Sequence, residues 1–192
     1  MKRLVKTIEK NISGRKVLGL FLITSFVYVF MLAFTIPETM LFSSGLKLLD
    51  MMPTGYDLNY VNLLFNTLGE SGRETYLTTQ IPVDMLYPLF FGISYCLVMG
   101  YFLKKLNKLN TAYSYLCILP IISGIADYFE NFGIIVMLSK YPHLTQALVT
   151  TVSLFSVVKS TSTSLFFISL IIVLIALGYK IVRGRVTSTN AL

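Results

Sequence analysis

Four long apolar runs limit the folds available to this 192-residue chain. The first run, 17–35, has about the length that a helix needs to cross roughly 30 Å of hydrocarbon. Three further apolar runs lie at about 81–103, 112–138 and 158–180. With 55% hydrophobic and 13% charged residues, the chain is too apolar for a soluble domain of its size. The sequence therefore predicts an all-α fold, a four-helix transmembrane bundle that forms a single membrane domain over residues 1–192.

Proline positions predict where these helices begin, bend and end. The first span is expected to end at Pro37. Pro82 suits the first turn of the second span, where its missing N–H costs nothing, and Pro88 is expected to kink that span. The fourth apolar stretch, 148–182, exceeds one crossing, so its first turns are predicted to project outside the bilayer. Residues 36–39 lack the small-x-small pattern of a signal cleavage site, which favours a retained membrane anchor.

Charged residues predict the orientation of the spans. Basic side chains cluster before span one, between spans two and three, and after span four, whereas every acidic residue except Glu9 falls toward the opposite face. Because cytoplasmic loops carry an excess of Lys and Arg, both termini are predicted to be cytoplasmic, in a bacterial cytoplasmic membrane. The residues assigned to the inner side are Lys2, Arg3, Lys6, Lys10, Arg15, Lys16, Lys104, Lys105, Lys108, Lys180, Arg183 and Arg185.

The segment between spans one and two, 36–80, is predicted to be helical. Asp57 suits an N-cap, apolar residues follow it at helical spacing, and Gly69 suits a helix stop. The segment shows no alternation of period two, which argues against a β-rich outer domain. We therefore expect a helical extracytoplasmic cap resting on the bundle.

Ionisable residues inside the apolar runs mark the candidate site. Helical rise places Asp84, Asp127 and Lys159 at about the same depth near the outer face. A charged side chain in hydrocarbon has a high free-energy cost unless it is paired with an opposite charge or serves a function. These positions are therefore where a functional site is expected. The candidate ligand-binding or polar-cluster residues are Arg73, Asp84, Tyr87, Asp127, Glu130, Asn131 and Lys159.

The charge balance of this cluster leaves two interpretations open. Three carboxylates facing one lysine cannot all be ionised cheaply, so either Arg73 joins them or at least one acid stays protonated. A protonated carboxyl can exchange protons or hold a polar headgroup. Alternatively, Lys159 pairs with Asp127 or Asp84 only to fix the helices in register. Small residues lower in the bundle, including Gly92 and Gly124, indicate close helix packing.

The remaining chemically reactive side chains give no sign of a metal or a cofactor. Cys96 and Cys117 lack CxxC spacing and are predicted to be free, buried thiols. The single histidine, His143, has no cysteine or second histidine near it. We therefore predict no metal, no cofactor and, because the basic residues flank apolar runs, no nucleic acid partner.

Four sequence segments resemble a family of uncharacterised four-span bacterial integral membrane proteins. They are residues 52–57 (MPTGYD), 68–76 (LGESGRETY), 82–88 (PVDMLYP) and 126–131 (ADYFEN). The resemblance covers nearly the whole chain and implies a shared fold, but it implies no activity or substrate.

These observations lead to one functional expectation with two alternatives. The expected function is binding of a lipid or other amphiphile, in addition to membrane lipids, at the outer-leaflet polar cluster. The first alternative is a structural or accessory subunit that packs against another membrane protein or a second copy of the chain. The second is a proton-coupled carrier, which the absence of an internal duplication disfavours. The sequence leaves open whether the protein is an enzyme.

Overall fold

In a computed structural model, which describes residues 2–189, all regular structure within that range is helical. The elements in chain order are α1 (Lys2–Asn11), α2 (Gly14–Phe30), a π-helical turn (Met31–Thr35), α3 (Ile36–Met40), a 3-10 turn (Leu49–Met51), α4 (Leu58–Thr75), a second π-helical turn (Tyr76–Gln80), α5 (Ile81–Asp84), α6 (Tyr87–Lys105), a longer 3-10 segment (Ala112–Ile118), α7 (Leu119–Lys140) and α8 (Gln146–Thr189).

Four helical stretches are long and apolar enough to cross a membrane. They are Gly14–Met40, Leu58–Lys105, Ala112–Lys140 and Gln146–Arg183. The prediction of an all-helical chain with four long apolar helices is therefore confirmed. The orientation of these helices and the extracytoplasmic position of the cap stay predictions.

The prediction that the first span ends at Pro37 is wrong. A π-helical turn, Met31–Thr35, precedes this proline, and the helix continues through it to Met40. The wider turn accommodates a residue that cannot donate a backbone hydrogen bond and whose ring crowds the carbonyl four residues earlier. The second π-helical turn, Tyr76–Gln80, stands in the same position relative to Pro82. Both interruptions therefore lie where proline disturbs a long helix.

Prolines also shape the second and third spans. The expected kink near Pro88 is a break at residues 85–86, after which α6 begins with this proline in its first turn. The third span was predicted as one helix from about residue 112, but Ala112–Ile118 is 3-10 helix. The α-helix begins only at Leu119, which puts Pro120 in its first turn, where a missing N–H is tolerated.

One end of the bundle gathers the basic segments. The amphipathic helix α1, which was not predicted from the sequence, buries Val5 and Ile8 in an apolar cluster that also contains Cys96 and Cys117. Asn110 donates a hydrogen bond to Glu9 at 3.0 Å, and the ammonium of Lys180 donates to the Lys105 carbonyl at 3.0 Å. The three basic tracts that the sequence assigns to one side therefore meet at one end of the molecule.

The opposite end is built around α4. Asp57 caps this helix by accepting a hydrogen bond from the Tyr60 amide at 2.8 Å, as predicted. Its buried face packs against the C-terminal half of α7 and the start of α8. The fully buried residues of this cluster include Leu48, Leu49, Val61, Leu64, Phe65, Ile134, Met137 and Val149.

Gly69 interrupts α4 with φ 63° and ψ −172°, a conformation that is essentially restricted to glycine. A Cβ atom there would meet nothing within 4 Å, so backbone strain alone sets the cost of a side chain. We expect Gly69→Ala to lower the unfolding free energy by about 1–3 kcal/mol. Gly19→Ala is the matched control, because that glycine is helical and also has open space around it. Denaturant titrations in detergent micelles that gave equal midpoints for the two variants would contradict this expectation.

Candidate functional site

Lys159 of α8 lies at the centre of the polar cluster. Its ammonium nitrogen is 2.5 Å from Oε2 of Glu130 and 3.2 Å from Oδ1 of Asp127. The Glu130 side chain is 0% exposed and that of Lys159 only 16% exposed. The hydroxyl of Ser156 donates to the other Glu130 oxygen. Lys159 therefore binds both acids of α7 at once.

Helical spacing explains why these groups meet. Asp127, Glu130 and Asn131 are three and four residues apart on α7, so they share one face of that helix. Ser156 and Lys159 have the same spacing on α8 and face them. Helices α7 and α8 pack closely near these residues: a Cβ on Gly133 would overlap the side chain of Val152. The close approach of α7 and α8 brings the charged groups together.

A fourth carboxyl group, Asp50, joins the cluster from the segment between the first two spans. Its backbone carbonyl accepts a hydrogen bond from Lys159 at 3.3 Å. Its carboxylate accepts one from the Tyr76 hydroxyl at 2.5 Å and one from the Gln80 amide at 3.2 Å. The hydroxyl of Thr35 donates to Gln80 at 2.5 Å. A continuous polar network thus connects both π-helical turns to the centre of the bundle, which agrees with the frequent occurrence of π-bulges at functional sites.

Asp84 and Asn131 hold two unpaired acceptors. Both side chains are buried, at 4% and 0% exposure. The Asn131 amide donates to the Asp84 backbone carbonyl at 3.4 Å, a long hydrogen bond. Oδ2 of Asp84 and Oδ1 of Asn131 have no hydrogen-bond partner among the residues that the structure describes. Such groups are rare in native proteins, because an unpaired buried polar atom costs about 1–3 kcal/mol.

The structure does not bring the other two predicted residues, Arg73 and Tyr87, to Lys159. Arg73 donates to the Phe65 carbonyl at 2.7 Å and lies over the Tyr141 ring, 4.8 Å from its centre. The break at Gly69 explains this contact, since it leaves a carbonyl at the end of a helical segment, where arginine binds well. The ring of Tyr87 stacks on Tyr28 of α2 with centroids 5.4 Å apart.

An open depression of about 620 Å³ lies beside the cluster, on the loop before α4. Tyr56 and Ser153 line it, and the Tyr56 amide donates to the Ser153 hydroxyl at 2.8 Å. Burial raises the pKa of Tyr56 above its ordinary value, and the negative charge of Glu130 raises it further. The Tyr56 hydroxyl therefore remains protonated, and it is buried without a hydrogen-bond partner among the described residues.

Sequence reasoning missed Asp50, Tyr76 and Gln80 as members of the network. Asp50 was read as one of several acids in an outer loop, and nothing in its local sequence indicates burial. Gln80 carried a weak signal, because a glutamine directly before an apolar span needs a partner once it is buried. A partner at a sequence separation of 30 residues is a property of the tertiary fold.

The arrangement restricts the chemistry that the cluster can perform. Within residues 2–189, no group of three or more His, Cys, Asp or Glu side chains is placed to hold a metal ion. The carboxyl groups can bind a proton, a cationic group or a hydrogen-bond donor.

Comparison with known proteins gives no relative for this chain: no family model, no curated protein and no solved structure matches it. The resemblance to four-span bacterial membrane proteins therefore stays a prediction from sequence segments.

Proposed function

We propose that this multi-pass membrane protein binds an amphiphile at the polar cluster, through a headgroup that donates hydrogen bonds or carries a positive charge. The observation that carries the proposal is the pair of buried, unpaired acceptors, Oδ2 of Asp84 and Oδ1 of Asn131. Bound N–H or O–H groups would satisfy these acceptors and remove the cost of leaving them unpaired.

The charge of the cluster supports a headgroup of this kind. Two carboxyl groups, those of Asp127 and Glu130, pair with the ammonium of Lys159, and those of Asp50 and Asp84 are near enough to interact with it electrostatically. Arg73, which the sequence suggested as a second cation, binds elsewhere. Burying an excess of like charge is costly, so the cluster favours a proton or a cationic ligand group.

The position of the cluster supports an amphiphile over a purely polar ligand. Asp84, Asp127 and Lys159 belong to stretches that are apolar enough to span a membrane. A ligand that approaches through hydrocarbon needs an apolar part as well as a polar headgroup. By the positive-inside rule, the proposal places both termini in the cytoplasm and the cluster toward the outer leaflet of a bacterial cytoplasmic membrane.

Replacement of the unpaired acid tests the proposal. We expect Asp84→Asn to lose a small molecule that co-purifies with the natural chain, because the variant loses one acceptor and one negative charge. Asp84 forms no ion pair in the described part of the chain, so its replacement leaves the contacts of Lys159 intact and the protein folded. The measurement is mass spectrometry of small molecules extracted from protein purified in mild detergent.

Asp57→Asn is the matched control for this experiment. The same chemical change is made at an exposed N-cap, where asparagine also caps well. A discrete species present in the natural chain and in the control, but absent from folded Asp84→Asn, is the expected result. Identical bulk phospholipid in all three samples would contradict the proposal. It would favour a cluster that binds only a proton or serves only the fold of an accessory subunit.

A further inference from the structure

A second cavity lies outside the polar cluster, in a groove between α2, α6 and α7. Its volume is about 440 Å³, within the range of about 300–1,000 Å³ that small-molecule sites occupy. Leu20, Ile93 and Ile125 form part of its wall. Ile93 and Ile125 are 48% and 52% exposed, so the groove opens toward the surroundings of the bundle.

Two glycines create this groove. Gly92 of α6 and Gly124 of α7 both line it and contribute no side chain. A Cβ on Gly124 would lie 2.7 Å from the Pro88 carbonyl oxygen, so the helices touch through their backbones there. The wall on α6 extends from Pro88 to Leu97, about 14 Å at 1.5 Å per residue. The groove is therefore mostly apolar and elongated along the helix axes, which suits an acyl chain.

The groove has one polar end. Thr7 and Asn11 of α1 and Lys16 of α2 line it where the bundle meets the basic tracts. Lys6, Lys10 and Arg15 are exposed nearby in the chain. The neighbouring acid, Glu9, accepts a hydrogen bond from Asn110. The Thr7 hydroxyl donates to the Arg3 carbonyl, and the Asn11 amide donates one hydrogen to the Thr7 carbonyl. The donors that this end of the groove offers are therefore the Lys16 ammonium and the second N–H of Asn11, in a region of positive charge that is complementary to a phosphate.

We propose that this groove binds an anionic phospholipid, with one acyl chain along the groove that α2, α6 and α7 form and the headgroup phosphate at Lys16. The site is independent of the acid-rich cluster and selects a headgroup of the opposite charge. It resembles the basic pockets between transmembrane helices that bind anionic lipid headgroups.

The natural chain contains no tryptophan, so an introduced tryptophan is the only one in the protein. Tyr128→Trp places it in the lining of the groove. Phe129→Trp is the matched control, because Phe129 is 52% exposed and does not line the groove. Each variant is reconstituted in vesicles that contain phosphatidylglycerol or phosphatidylcholine with identical brominated acyl chains. Because bromine quenches tryptophan fluorescence at contact, the degree of quenching measures how fully each lipid occupies the site beside the tryptophan.

The expected result is a preference of about fivefold for phosphatidylglycerol in Tyr128→Trp and no preference in Phe129→Trp. Adding Lys16→Gln to Tyr128→Trp should abolish the preference. Adding Arg15→Gln instead removes the same charge from the adjacent residue, which does not line the groove, and should retain it. Should Tyr128→Trp not fold, native mass spectrometry of the natural chain and of Lys16→Gln with both lipids measures the same preference.

Three results would overturn the proposal. Equal quenching by the two lipids at position 128 would show that the groove does not select an anionic headgroup. An equal loss of preference with Lys16→Gln and with Arg15→Gln would show general attraction to the basic end. Absence of quenching by either lipid would mean that a protein segment fills the groove.

Discussion

Lys159→Met is expected to lower the unfolding free energy by about 3–5 kcal/mol, the cost of removing one partner from a buried ion pair. Lys159 binds Glu130 and Asp127 and also donates to the Asp50 carbonyl. Methionine fills a similar volume, so lost packing contributes little. The acids that remain lose their counter-charge in a buried site. Denaturant titration of the protein in detergent micelles measures the effect.

The control for this variant is Lys140→Met, which removes an exposed lysine at the end of α7. Its effect is expected to stay within about 0.5 kcal/mol, as for most surface substitutions. Adding Glu130→Gln to Lys159→Met should recover part of the loss, because the more deeply buried of the two ion-paired acids is then neutral. Equal midpoints for Lys159→Met and Lys140→Met would show that the ion pairs do not stabilise the bundle.

Gly124→Leu is expected to lower the unfolding free energy by about 1–3 kcal/mol or more, because it overpacks the contact between α6 and α7. The Cβ atom would lie 2.7 Å from the Pro88 carbonyl oxygen and 3.8 Å from the Cα of Gly92. Both neighbours are backbone atoms, so no side-chain rotation can relieve the overlap. The helices must move apart, which also disturbs the face of α7 that carries Asp127.

Gly178→Leu provides the comparison for Gly124→Leu. Gly178 lies in α8, and a Cβ there would meet nothing within 4 Å. This variant should unfold at or above the midpoint of the natural chain, since leucine favours a helix more than glycine does. A Gly124→Leu protein as stable as Gly178→Leu would contradict the packing described for α6 and α7.

The sequence predicted those parts of the fold that depend on local pattern. Apolar length identified the four long helices, and the spacing of Asp127 and Glu130 placed both acids on one face of α7. Asp57 was correctly predicted as the N-cap of α4, and Gly69, predicted as a helix stop, interrupts this helix without ending it. Each of these features is determined by residues within one or two helical turns.

The features that were missed depend on contacts between distant segments. Asp50 belongs to the cluster because its carbonyl accepts a hydrogen bond from Lys159, which is 109 residues away. Arg73 does not belong to it, because its guanidinium binds the Phe65 carbonyl beside the helix break. The π-helical turn before Pro37 kept the first helix intact, because a local widening absorbed the steric effect of proline. None of these outcomes follows from hydrophobic periodicity, which reports burial and not the identity of polar partners.

The proposed function requires that the cluster recognise a donor or positively charged headgroup through Asp84. The most direct test measures the unfolding temperature of the natural chain and of Asp84→Asn in the presence of single-chain amphiphiles. The amphiphiles have equal chain length and carry a primary ammonium, a neutral or a sulfate headgroup. We predict that the ammonium amphiphile stabilises the natural chain more than the neutral and sulfate amphiphiles do, and that Asp84→Asn loses this difference. Equal shifts for all three headgroups, or an ammonium effect that persists in Asp84→Asn, would contradict the account.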